Sequence, residues 1–344
     1  MSHDIFGTRI IGAPMAGGTS TPAFVKAVHD AGGLGFLAAG YKDVAAMEAE
    51  IRTTRASGAR FGMNVFVPDP DQLPPSAAVR AQLEEYRARL RPDALRYGAD
   101  VPPLRLDDDD RWHGKIDALL ADPVELVSFA FGLPGSDVVQ ALQRTGSTVL
   151  ATVTTVAEAL EAAGQGVDAL VVQHAGAGGH SAAFQPAAGG RGDSRPGTTA
   201  ELVTRVRSAV GLPLVAAGSV MDRAGLEAVL AAGAQAAQLG TAFLRTDESG
   251  ARQLHKDALA SPRFTETRLT RAFTGRPARA LVNDFVRDHP DAPEAYPAVH
   301  HLTAPLRAAA AAAGDAERLN LWAGTGWQQA RAGSVADVVA GLLG

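Results

Sequence analysis

The chain has 344 residues, 46% of them apolar, and carries 37 acidic against 32 basic side chains, a formal charge of -5. That balance leaves no basic field for a polyanion or an anionic membrane, so neither nucleic acid nor a membrane is expected as a partner. Cysteine is absent, which removes disulfides, thiolate metal sites, iron–sulfur clusters and every cysteine-nucleophile mechanism. The opening Met1-Ser2-His3-Asp4-Ile5-Phe6 lacks a signal core, and no stretch reaches the roughly 18 apolar residues of a membrane span, so a cytoplasmic protein is expected.

Along the chain, short β-branched or apolar runs alternate with longer Ala/Leu/Glu/Arg segments, the rhythm of repeated βα units around a buried parallel sheet. Expected strands are Arg9 to Met15, Gly35 to Ala39, Phe61 to Phe66, Leu126 to Phe131, Thr148 to Val153, Ala169 to Gln173, Pro213 to Ala217 and Ala236 to Leu239. Eight such runs imply an α/β fold of the closed (β/α)8 TIM-barrel type. Helices carry start and stop signals: Thr21-Pro22 opens one that Gly32-Gly33 closes, and Asp222 opens one that Gly233 closes. The stretch 68–122 is too long for one connection and holds two helical patterns separated by Asp100-Val101-Pro102-Pro103, so it reads as an insertion after strand 3. Beyond the last strand, the run Ala308 to Ala313 is expected to be helical, since Ala is the strongest helix former. The expected organisation is a barrel over 1–245, with the insertion at 68–122, and a C-terminal helical subdomain over 246–344 covering the active face.

In such a barrel the loops at the carboxyl ends of the strands build the site, and a phosphate commonly sits after strands seven and eight. The seventh run ends Ala216-Ala217-Gly218-Ser219 and the eighth Gln238-Leu239-Gly240-Thr241. Each places glycine where a backbone N–H can approach an anion, with a hydroxyl beside it; either alone also reads as a strand ending in a tight turn. Asn64 and Gln173 are amides inside or ending apolar strands. Such groups either bridge neighbouring strands or meet a ligand such as the carbonyl and imide edge of a flavin ring.

The most informative segment is Gln173-His174-Ala175-Gly176-Ala177-Gly178-Gly179-His180: its glycines permit close approach to a flat ring and its terminal imidazole is the usual type of general base. His174 directly follows an inward-facing residue and so points away from the ligand. His300-His301 lacks carboxylates or further histidines at ligand spacing, and no metal is expected.

These residues resemble the nitronate monooxygenases, once called 2-nitropropane dioxygenases, in their bacterial class I branch. The resemblance covers nearly the whole chain. It is carried by Ile11-Gly12-Ala13-Pro14-Met15-Ala16-Gly17-Gly18, Gly62-Met63-Asn64-Val65-Phe66, Ser128-Phe129-Ala130-Phe131-Gly132-Leu133-Pro134 and Gln238-Leu239-Gly240-Thr241-Ala242-Phe243-Leu244. Further on it includes Phe273-Thr274-Gly275-Arg276-Pro277-Ala278-Arg279 and Leu321-Trp322-Ala323-Gly324-Thr325-Gly326. It implies FMN as cofactor and His180 as the base. The candidate FMN contacts are Ala13, Pro14, Met15, Asn64, Gln173, Gly178, Gly179, Ala217, Gly218, Ser219, Gln238, Leu239, Gly240 and Thr241, with Tyr296, His300 and Trp322 lining the substrate pocket. The family's loop usually runs Gln-Gly-x-Glu-Ala-Gly-Gly-His-Arg-Gly; here Gly176 replaces the acidic residue and Ser181-Ala182 follow the histidine.

The resemblance implies oxidation of alkyl nitronates with O2 to carbonyl compounds and nitrite, by a monomer or homodimer whose partners are O2 and a small-molecule substrate. The alternative is an NAD(P)H-dependent FMN reductase acting on quinones or enoyl thioesters. From another class, a barrel that binds a different phosphorylated ligand without catalysis accounts for the glycine loops alone.

Overall fold

The computed structural model describes residues 4–70, 73–184 and 197–344. Strands β1 (Ile10–Gly12), β2 (Leu34–Ala38), β3 (Phe61–Phe66), β4 (Leu126–Ala130), β5 (Thr148–Val153) and β6 (Ala169–Gln173) are followed by the short β7 (Gly179–His180), then by β8 (Leu214–Ala217) and β9 (Ala236–Leu239). All but β7 join in one parallel barrel of order β1-β2-β3-β4-β5-β6-β8-β9, which β9 closes onto β1. The barrel expected from the sequence is thus present, with strand ends shifted by a few residues. The largest shift is in β1: Ala13 to Met15 leave the ladder and form the first loop at the barrel mouth, where Met15 N–H donates to Ser20 Oγ (2.8 Å).

Alternation along the strands sorts apolar side chains into two cores. Ile11, Leu34, Phe36, Leu126, Leu150, Val171 and Val215 fill the barrel, with Phe6 from the N-terminal segment packed among them. The other faces pack outward against the helices, through residues such as Phe24, Val28, Met63, Val127, Leu170 and Leu202. Gly62 is required by this filling: a Cβ there would lie 2.2 Å from the Phe36 ring.

The outer helices begin where capping residues stand. Thr21 accepts from Phe24 N (3.1 Å) ahead of helix Pro22–Asp30, and Asp222 accepts from Gly225 N (2.8 Å) ahead of helix Arg223–Ala231. Each cap satisfies a backbone donor that the first helical turn leaves without a partner.

The insertion holds helices Ala77–Arg96 and Trp112–Ala121, as its two patterns suggest. The first packs onto the C-terminal helix Ala298–Ala312, so Leu83, Tyr86 and Leu90 share a core with Phe273, Phe285, Val299 and Leu302. Tyr86 is fully buried and donates its hydroxyl to Ala272 O (2.7 Å).

The tail is not purely helical, contrary to expectation. β10 (Thr267–Thr270) and β11 (Ala278–Leu281) form an antiparallel pair, and β7 adds to β11 with His180 opposite Ala278 and Gly179 opposite Arg279. The sequences Thr-Arg-Leu-Thr and Ala-Arg-Ala-Leu carry little strand propensity; pairing overrides it. None of the helices among the described residues is long and apolar enough to cross a membrane.

Candidate active site

A cavity of about 430 Å3 opens at the carboxyl ends of the barrel strands. Its wall takes in Ala13, Pro14 and Met15 after β1, Asn64 on β3, Gln173 and Gly178–His180 after β6, Ala217–Ser219 after β8, and Gln238–Thr241 after β9. The tail contributes His300 and Trp322. Every sequence candidate is therefore brought to one space except Tyr296, which does not line this cavity. Tyr296 stands behind it, its ring 5.8 Å from that of His180 and 5.5 Å from that of Phe131.

One end of the cavity is a backbone cradle. Gly218 has φ +103°, and a Cβ there would sit 3.0 Å from Ala177 N. Gly178 admits no side chain either, since its Cβ would meet Gly324 N at 2.6 Å and Ala323 C at 2.7 Å. Thr241 Oγ1 accepts from Gly324 N (3.0 Å), tying the end of β9 to the tail. Gly176, the departure from the usual family loop, is explained by its surroundings: a Cβ would lie 2.2 Å from Ser219 Oγ and 2.9 Å from Thr325 Oγ1, and these two hydroxyls bond one another at 2.7 Å. The hydroxyl pair occupies the space into which a side chain at 176 would grow.

The two amides divide their work. Asn64 Nδ2 donates to Ser128 Oγ (2.9 Å) and Ser128 O (3.2 Å), bridging β3 to β4. Gln173 braces the loop that follows it: Nε2 donates to His180 O (3.1 Å) and Oε1 accepts from Ala182 N (2.8 Å). The bridging alternative thus holds for both amides, without removing either from the cavity wall.

His180 is held at three points: by Gln173, by β11, and by Thr274, whose Oγ1 lies 2.9 Å from Nε2. The contact engages Nε2 with the Thr274 hydroxyl, which also lies 3.3 Å from Arg276 O, and leaves Nδ1 as the ring nitrogen not bonded to Thr274. Phe131, Tyr296 and Trp322 surround the ring, with centroids 5.4–5.8 Å away. Burial, reinforced by the charges of Arg276 and Arg307, pushes the His180 pKa down to about 3, which keeps the imidazole neutral and proton-accepting at ordinary pH.

Several wall residues were not legible in the sequence. Thr274 and Asn320 lie in the tail, far from any barrel-strand end, and Arg307 reads in sequence only as the lead into an Ala-rich helix. His255 also lines the cavity; its Nε2 donates to Trp322 O (2.9 Å), since a carbonyl only accepts, and burial lowers its pKa to about 4. The pair His300-His301 splits its duties. His301 Nε2 bonds Asp108 Oδ2 (2.7 Å) in the insertion, whereas His300 stacks on Tyr41 at 4.0 Å and faces the cavity.

A closed parallel barrel with a glycine cradle and a sequestered neutral histidine at its strand ends defines a (β/α)8-barrel enzyme acting on a small ligand. Comparison with known proteins narrows this. The nitronate monooxygenase family model matches residues 1–344. A probable nitronate monooxygenase of Staphylococcus saprophyticus is 36% identical over 320 residues, 92% of this chain and 88% of its own. A solved nitroalkane oxidase from Streptomyces ansochromogenes aligns with a TM-score of 0.91 at 47% identity, over 99% of this chain and 96% of the other. FabK from Thermotoga maritima shares the fold, with a TM-score of 0.74 at 23% identity over 99% and 93% of the two chains. The chain belongs to the nitronate monooxygenase family and is an oxidoreductase.

Proposed function

We propose that this protein binds FMN in the cavity and oxidises alkyl nitronates, and more slowly neutral nitroalkanes, with O2 to carbonyl compounds and nitrite. The observation that carries the cofactor is the cradle, where Gly178 and Gly218 leave no room for a Cβ and Ser219 and Thr241 stand beside them. Such a cradle suits a phosphate held by backbone N–H groups, and the Asn64 carbonyl suits a ring N–H. Bound FMN would supply the electron acceptor for the substrate and the route to O2. Residues Gly218, Ser219, Gly240 and Thr241 would hold its phosphate, with Ala13, Pro14, Met15, Asn64, Gln173, Gly178, Gly179, Ala217, Gln238 and Leu239 around the rest.

His180 would take the α-proton of a neutral nitroalkane on Nδ1: the C–H bond breaks, its electron pair passes to the nitro oxygens, and a nitronate results. Its bond to Thr274 would orient the ring for this step, and Phe131, Tyr296 and Trp322 pack around it. A nitronate substrate needs no such step.

The test is anaerobic mixing of the yellow holoprotein with propyl nitronate and, separately, with NADH, while the flavin spectrum is followed. Bleaching or partial reduction by nitronate alone is expected. Rapid bleaching by NADH with no response to nitronate would replace this reading with that of a reductase.

A further inference from the structure

Arg307 is a cation without an anion. Its Nε–H donates to Thr303 Oγ1 (3.2 Å), Nη1 to Asn320 Oδ1 (3.1 Å), and Nη2 to His300 Nδ1 (3.2 Å) and His300 O (3.3 Å). All four acceptors are neutral. The imidazole of His300 accepts through Nδ1, and burial holds its pKa well below the ordinary histidine value. Among the described residues, no carboxylate pairs with this guanidinium, whereas Arg263, Arg268, Arg271, Arg287 and Arg318 in the same tail each have one.

Arg307 is partly buried on the cavity wall, where a partly desolvated charge without a counter-charge gains from an anionic ligand. The protein around it lowers its pKa to about 10, still charged at neutral pH. Arg252 lies at the same wall, while among the described residues no Asp or Glu lines it. A chain of net charge -5 therefore encloses a cavity whose formally charged wall residues, among those described, are both cationic.

A guanidinium has five N–H donors, of which the four bonds above use one on Nε, one on Nη1 and two on Nη2. One Nη1–H remains for a ligand. Arg307 is also close enough to His180 for its charge to depress that imidazole's pKa, whereas the glycine cradle is built from the ends of β8 and β9. These placements favour the reacting end of the cavity over the phosphate end.

The geometry points to Arg307 as the specificity-determining residue that receives the anionic nitro-group oxygens of the substrate, given the nitronate reading above. A nitronate brings the negative charge with it, so Arg307 acts on its binding. A neutral nitroalkane acquires that charge only as His180 Nδ1 takes the α-proton, so for this substrate Arg307 acts on the rate.

The experiment compares FMN-loaded parent, R307M, R307Q and R307K with propyl nitronate and 1-nitropropane. For R307M and R307Q, the KM for propyl nitronate should rise about 10- to 100-fold with kcat within a few-fold, the scale of one charged hydrogen bond. With 1-nitropropane, kcat should fall by a similar factor while KM changes little, and R307K should recover part of both losses. R307Q keeps a polar group where Nε meets Thr303, so the comparison survives poor folding of R307M. FMN affinity, read by flavin fluorescence, should stay within about threefold, and propionate should perturb the parent's flavin absorption at lower concentration than that of either neutral variant.

An unchanged nitronate KM in FMN-replete variants, or a loss confined to FMN affinity, overturns the assignment. If the parent oxidises neither nitro compound, the nitronate reading fails. The propionate titration still judges the anion site.

Discussion

At the scale of single residues, the consequential bond is the one from His180 Nε2 to Thr274. When Nε2–H donates to the Thr274 oxygen, Nδ1 is the basic atom of the neutral imidazole, and Thr274 is the partner that can hold that tautomer. Thr274→Val keeps the shape and removes that acceptor. It should lower kcat/KM for neutral nitroalkanes by about tenfold, while His180→Asn should lower it by about 10²- to 10⁴-fold; both should spare nitronates, which need no deprotonation. The ratio of the two substrates' kcat/KM values reads this directly. Since the imidazole protonates only near pH 3, the same pH profile should show no acid limb near 6.5. A limb there that disappears in His180→Asn would mean that the ring is more hydrated than its surroundings suggest.

At the scale of elements, the loop between β6 and β7 is fixed from three sides, and its glycines are the points of contact. Gly178→Ala would drive a Cβ into the backbone of Ala323 and Gly324, atoms that no rotamer change can move. The expected result is a loss of bound flavin of at least about tenfold and a destabilisation of about 1–3 kcal/mol, measured by flavin content and thermal melting. This loop was readable in the sequence, because glycine spacing and a terminal histidine are local signals. The eight barrel strands were readable for the same reason: continuous apolar runs between turns have a period that survives without tertiary information. The β10–β11 pair was not, since Thr-Arg-Leu-Thr and Ala-Arg-Ala-Leu become strands only by pairing with each other and with Gly179–His180. Arg307 was hidden for a related reason: an arginine on an Ala-rich helix looks like a solvated one until the fold turns it into the cavity.

At the scale of the whole molecule, the insertion and the tail form one core above the barrel, with Tyr86 at their junction. Tyr86→Ala should cost about 3–5 kcal/mol and, by loosening helix Ala298–Ala312, should lower activity as well; Tyr86→Phe should cost only about 1 kcal/mol for the lost bond to Ala272 O. Denaturant unfolding separates the two. The molecule should also be acid-sensitive. Burial keeps His180, His255 and His300 neutral when folded, with pKa values below the 6.5 of the unfolded chain. Between pH 6.5 and about 4 the unfolded chain then binds more protons, and stability falls as pH falls, by up to about 1.4 kcal/mol per pH unit for each histidine. Asp110, raised to about 6 chiefly by burial, works in the opposite direction over part of that window but is one group against three. A melting temperature that holds steady from pH 6.5 to 4 would contradict this.

The pairing of β7 with β11 bears on how the enzyme is made. On the ribosome, Gly179–His180 emerges about a hundred residues before Ala278–Leu281, some five to twenty seconds at ordinary synthesis rates. Until the tail arrives, the histidine has neither its strand partner nor Thr274 to set its tautomer. The glycine cradle waits longer still, since Gly178, Ser219 and Thr241 meet residues 323–325, so a nascent barrel is expected to gain both cofactor affinity and proton-abstracting power only when the chain is nearly finished.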